Sequence, residues 1–104
     1  MRGYKLIKDW FDAAPVTEFG IRLAQNYARE FALISEMQKH KREEKQKKLV
    51  ANVMAQVKAF GASNKMNIYK KAKLGNAIKW TLRDLDFDRE MIDALVKEIF
   101  IALA

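Results

Sequence analysis

The chain contains no cysteine, so it can form neither disulfides nor thiolate–metal bonds, and its redox compartment is left open. Proline occurs once, at position 15, and glycine four times in 104 residues. Turn signals are therefore scarce. Histidine also occurs once, as His40, among lysines and with no cysteine as a second ligand; it is expected to be exposed and inert rather than a metal ligand or general base. No apolar run approaches the roughly 20 residues needed to cross a bilayer. Residues 1–10 lack the continuous apolar segment of a secretory signal, so a soluble cytoplasmic protein is expected.

Half of the residues are hydrophobic, which argues against global disorder. A chain this long has room for one domain, residues 1–104, burying about 65% of its unfolded surface. Abundant Ala, Lys, Leu and Glu favour helices. The charge is distributed unevenly. Residues 1–38 carry five basic and five acidic groups; residues 39–83 carry thirteen and two, a net of +11; residues 84–104 carry two and six, a net of −4. Either the basic and acidic blocks neutralise each other within the fold, or the basic block faces an external polyanion.

Hydrophobic periodicity predicts an all-α bundle of four or five helices, at about residues 4–14, 16–38, 44–60, 67–85 and 89–103. In the first, Tyr4, Ile7, Trp10 and Phe11 share a side opposite Lys5, Lys8, Asp9 and Asp12. An interfacial membrane helix is conceivable there. Asp9 and Asp12 weaken it, and packing against the bundle is expected. Pro15 ends this helix and suits the start of the next, with Thr17 and Glu18 in its first turn. Phe19, Leu23, Tyr27, Phe31 and Ile34 then recur at helical spacing over more than half the circumference, marking the central helix. Gly20 within it is expected to permit close approach by a neighbour.

The stretch from Glu36 to Lys48 is polar, helix-favouring and free of Gly, Pro and β-branched residues. Beyond it Leu49, Val50, Val53, Met54, Val57 and Phe60 form a second stripe, roughly a quarter to a third of a turn away from the first on one ideal helix. A straight helix over residues 16–60 would be about 65 Å long, against a radius of gyration near 13 Å for a compact domain of this size. A bend between about residues 38 and 44 is therefore expected; a straight rod would favour a homodimer. Gly61 is placed to close the third helix in the left-handed conformation, and Asn64 or Asn67 to cap the fourth. The fourth is expected to bury Ile68, Leu74, Ile78, Leu82 and Leu85. Asp88 is the expected N-cap of the fifth, with Phe87 and Ile92 spaced as a hydrophobic staple; Ile101 points away from its apolar stripe.

Asp84, Asp86, Asp88, Glu90 and Asp93 lack the Gly and terminal Glu of a calcium loop, and no phosphate-cradling loop or nucleophile motif is present. No enzyme, metal or cofactor is expected. A helix-turn-helix is rejected because its second helix would present Asp88, Glu90, Asp93 and Glu98 to phosphates. The candidate polyanion-binding residues are Lys39, Lys41, Arg42, Lys45, Lys47 and Lys48 in the polar run, and Lys70, Lys73, Lys79, Arg83, Tyr69 and Trp80 after it. Tyr69, Lys73, Asn76, Trp80 and Arg83 share an arc of about 80°. Large aromatics usually belong to a core, so Trp80 and Tyr69 are expected to pack on another helix with cationic stems around them. The alternative is base stacking with phosphate contacts. Taken together, these features predict a non-enzymatic interaction module, a small adaptor or regulatory protein with a basic middle surface and a protein partner. A nucleic-acid-binding protein using residues 39–83 is the alternative.

Overall fold

Residue 8 and residues 11–104 are described by the computed structural model. They form four helices, α1 (Ala14–Ser35), α2 (Lys39–Ser63), α3 (Ile68–Asp84) and α4 (Arg89–Leu103), with no strand. Most of the first expected helix, residues 4–14, lies outside the described residues. α1 begins two residues earlier than its apolar pattern suggested. Pro15 falls in its first turn, where a missing N–H leaves nothing unpaired. Thr17 and Glu18 consequently lie past that turn, which holds no acidic residue.

The chain bends at Glu36–Gln38, slightly before the expected segment. α1 therefore ends at Ser35 rather than at residue 38. The Ser35 hydroxyl takes the Phe31 carbonyl at 2.8 Å, and the Met37 N–H bonds the Ile34 carbonyl at 3.0 Å. α2 starts at Lys39 rather than at residue 44. Nothing in the polar run breaks a helix, so helix propagates through it without help from the core. A Glu44–Lys48 pair at 3.3 Å sits on its exposed surface. The premise for a rod-like dimer falls with the bend.

Gly61 does not adopt the left-handed conformation; no described glycine has positive φ. α2 continues two residues further, and Asn64 closes it by directing both its backbone and side-chain N–H groups to the Phe60 carbonyl, at 3.0 and 2.9 Å. Gly61 instead makes room for Leu103 of α4. α3 is capped by Asn67, whose side-chain oxygen accepts the Lys70 N–H at 2.8 Å. Asp88 occupies the N-cap position of α4 and its carbonyl accepts the Ile92 N–H, but its carboxylate makes no cap bond.

α1 and α4 each pack against both α2 and α3, leaving α2 and α3 on the diagonal. The core joins Val16, Leu23, Ala24 and Tyr27 of α1 to Val53 and Val57 of α2. Leu74, Ile78 and Leu82 of α3 and Ile92, Leu95 and Ile99 of α4 complete it. Each such aliphatic side chain contributes about 1.5–3 kcal/mol by leaving water. α1 supplies six buried residues, more than any other described helix. Ile68 and Leu85, expected inside, are 84% and 48% exposed. Ile68 is the first residue of α3 and Leu85 caps its end, so both lie at the margins of the packed stretch. Ile101 is exposed, as its position off the stripe implied.

The molecule measures 59 × 25 × 18 Å, with a radius of gyration of 15.2 Å. That exceeds the roughly 13 Å of a compact domain this size. Between residues 28 and 52 only Ile34 is buried, so the tip of the α1–α2 hairpin adds length without adding core.

Two glycines set helix separations, with different consequences. A Cβ on Gly20 would lie 3.0 Å from the Ala77 Cβ and 3.3 Å from the Leu74 carbonyl oxygen, both tied to the backbone of α3. A Cβ on Gly75 would meet the Phe100 Cζ at 2.7 Å, the end of a ring that is 41% exposed and can swing aside. Gly20→Leu is expected to destabilise the protein by about 2 kcal/mol through overpacking. Gly75→Ala is expected to leave stability unchanged or raise it by up to about 1 kcal/mol through helix propensity. Urea unfolding of both variants checks the contrast, which equal losses would refute.

Between α3 and α4 the Phe87 N–H reaches the Leu82 carbonyl and the Asp86 N–H the Arg83 carbonyl, both at 3.0 Å. This is a Schellman closure with Asp86, at φ 64°, where glycine is usual. Asp86→Gly is expected to raise stability by about 0.5–1 kcal/mol by relieving the left-handed conformation. Asp86→Val is expected to lower it, and thermal unfolding reads both.

Candidate functional site

α3 turns its buried residues Leu74, Gly75, Ile78 and Leu82 to the interior. At 100° per residue the opposite side of the helix carries Tyr69, Lys73, Asn76, Trp80 and Arg83. Trp80 is 58% exposed, which overturns the expectation that it packs on another helix. The reason is angular. The core-facing arc of α3 is filled by aliphatic side chains, and Trp80 sits almost diametrically across from it.

The Arg83 guanidinium lies 5.3 Å from the centre of the Trp80 ring. One end of the face therefore carries an exposed indole with a cation beside it, a geometry in which the ring quadrupole attracts the charge. Lys73 Nζ lies 5.5 Å from the Tyr69 ring, and Tyr69 is half-buried, edge-on to Phe11 at 5.1 Å between centroids. Tyr69 thus follows the packing expectation in part, while Trp80 does not.

Lys79 is exposed at the flank of this face, 3.9 Å from Asp93 of α4, which also lies 4.0 Å from Arg89. Lys70 is half-buried beside the Asn67 cap. Among the described residues, Lys79–Asp93 is the one ion pair that joins the basic block to the acidic block. Direct ion pairing among the described residues therefore neutralises little of the basic charge.

The polar run forms the first turns of α2. Lys39, Lys41, Lys45, Lys47 and Lys48 are exposed, and Arg42 is half-buried. His40 is exposed among them. The twelve candidate residues fall into two groups on diagonally placed helices, so the fold does not gather them into one site.

One feature escaped the sequence reading. A groove of 680 Å³ runs between α1 and the α3–α4 turn, lined by Ala28, Phe31, Ala32, Leu85, Phe87 and Met91, with Arg29, Asp86 and Asp88 among the polar residues at it. Its sequence signals are weak. Ala28 and Ala32 are small residues one turn apart, and Leu85 lies just past the end of its helix. Nearby, Tyr27 sits in the core against Phe87, and burial raises its phenol pKa above the ordinary 10.0.

Among the described residues no group of three or more His, Cys, Asp or Glu side chains gathers as a metal site, and no helix is long and apolar enough to cross a membrane. Of the residues on which the interfacial-helix reading rested, Trp10 and Lys5 lie outside the described residues, and Phe11 and Lys8 are exposed. Comparison with protein-family models, curated proteins and solved structures finds no match.

In a Trp10→Phe background, Trp80 emission is expected to be readily quenched by acrylamide, in keeping with a side chain 58% exposed. Strong protection from the quencher would contradict the exposed placement.

Proposed function

We propose that this chain is a non-enzymatic helical interaction module, an adaptor or regulatory protein acting in the cytoplasm. In this reading the outward face of α3 engages an anionic partner. The observation that carries it is Trp80, a large aromatic left 58% exposed beside Arg83 on the outward side of its helix. Aromatic and arginine side chains are enriched among the residues that dominate binding energies. Residues 68–84 add a net +4, from five basic groups and one acidic, which favours negatively charged partners and speeds their encounter.

The basic run of α2 has a lesser role in this reading. It is a solvated helix surface with its own Glu43 and Glu44, and it lacks an aromatic anchor. Its charge adds long-range attraction that salt screens within about 10 Å.

Charge reversal separates the two surfaces. Heparin serves as a generic polyanion, with affinity measured at low and physiological salt. Lys73→Glu/Arg83→Glu is expected to weaken binding by about tenfold or more, and Lys45→Glu/Lys48→Glu, an equal change of charge, by much less. If the α2 pair has the larger effect, α3 is not the contact surface.

A further inference from the structure

We infer that the ligand of the α3 face is single-stranded nucleic acid, with one unstacked base lying on Trp80 and its flanking phosphates held by Arg83 and Lys73; this rests on the reading that the α3 face is the contact surface. Trp80 is 58% exposed, and an exposed indole can stack with any base without sequence preference. Arg83 lies against that ring. A guanidinium held there can stack and still direct N–H groups to a phosphate in bidentate fashion. Asn76, exposed about one turn before Trp80, supplies an amide within reach of a base edge.

The width of the face argues for one strand rather than two. Its basic arc covers only about 80° of the helix. It is bordered by Asp84 at its end and, across Lys79, by Asp93 of α4, with Asp86 and Asp88 in the turn beyond. A duplex presents a second phosphate strand across a groove about 12 Å wide, and that strand would meet these carboxylates. From Lys73 to Arg83 the face is about 15 Å long, a span of about four nucleotides at the 3.4 Å spacing of a stacked strand and fewer where a base is unstacked. An acidic peptide would use the cations, but its carboxylates offer no planar ring to stack on the indole.

The test is a fluorescence-anisotropy titration of a labelled oligothymidylate of about twelve nucleotides with the whole chain, beginning at low salt. Binding is expected, and Trp80→Ala is expected to weaken it by about 5- to 100-fold. Trp80→Phe, which keeps a stacking ring, is expected to retain most of the affinity. Arg83→Ala is expected to reduce the slope of log affinity against log salt by about 0.7. Because Trp80 is exposed, far-UV circular dichroism and the Tm of its variants are expected to match those of the parent. No binding at low salt overturns the inference, as does binding that ignores Trp80→Ala or favours a duplex of the same length. Polyglutamate, titrated in parallel, separates the two levels of the argument. If polyglutamate binds through Lys73 and Arg83 while the oligonucleotide does not, the nucleic-acid inference falls and the interaction-module reading stands. If neither binds, both fall.

Discussion

Within a single chain, two apolar stripes that point to different sides of one helix cannot both leave water unless the chain turns between them. Residues 19–34 and 49–60 carry such stripes, and the turn at Glu36–Gln38 resolves the conflict. Folding α2 back along α1 brings Phe60 onto Phe19, rings stacked 4.1 Å apart, and places Val53 and Val57 beside Leu23 and Tyr27 in one core. Every local preference in the polar run favours helix, yet a straight helix would leave the second stripe in water at a cost of several kcal/mol. Burial outweighs the short break in hydrogen bonding. The arrangement of the other two helices follows, because α3 and α4 complete the core that this hairpin opens.

Most of the helical architecture was legible in the residues themselves. Pro15 marks the start of α1, Asn67 caps α3, and the 3.6-residue spacing of Leu74, Ile78 and Leu82 identifies their buried face. Boundaries were less legible where two physical effects compete. Gly61 looked like a stop, but α4 needed close access through Leu103 at that point, and Asn64 provides the closure instead. Lys39 to Glu43 looked like part of a bend, because they bury little. Helix propagation requires no burial, so they extend α2.

The candidate site was legible as a set of residues but not as a surface. Helical projection placed Tyr69, Lys73, Asn76, Trp80 and Arg83 on one arc. Projection on a single helix does not say whether a neighbour covers that arc. The answer depends on where α1 and α4 dock on α3, and they dock over Gly20 and Phe100, at other angles. Trp80 is left outside as a consequence, and composition alone would have assigned it to the interior. The groove beside Leu85 and Phe87 is similarly tertiary in origin, since its two walls come from α1 and from the α3–α4 turn with Met91.

The Gly20 contact also bears on how the molecule reaches its native state. Its partners, Leu74 and Ala77, lie more than fifty residues away along the chain. This close approach between α1 and α3 therefore requires closing a large loop, while the α1–α2 hairpin needs only a local reversal. Loop closure costs chain entropy before contacts repay it, and folding slows as the mean sequence separation of contacts grows. Docking of α3 onto α1 is accordingly expected to carry the larger entropic cost, and refolding to run behind that of a bundle in which each helix touches only its neighbours in sequence.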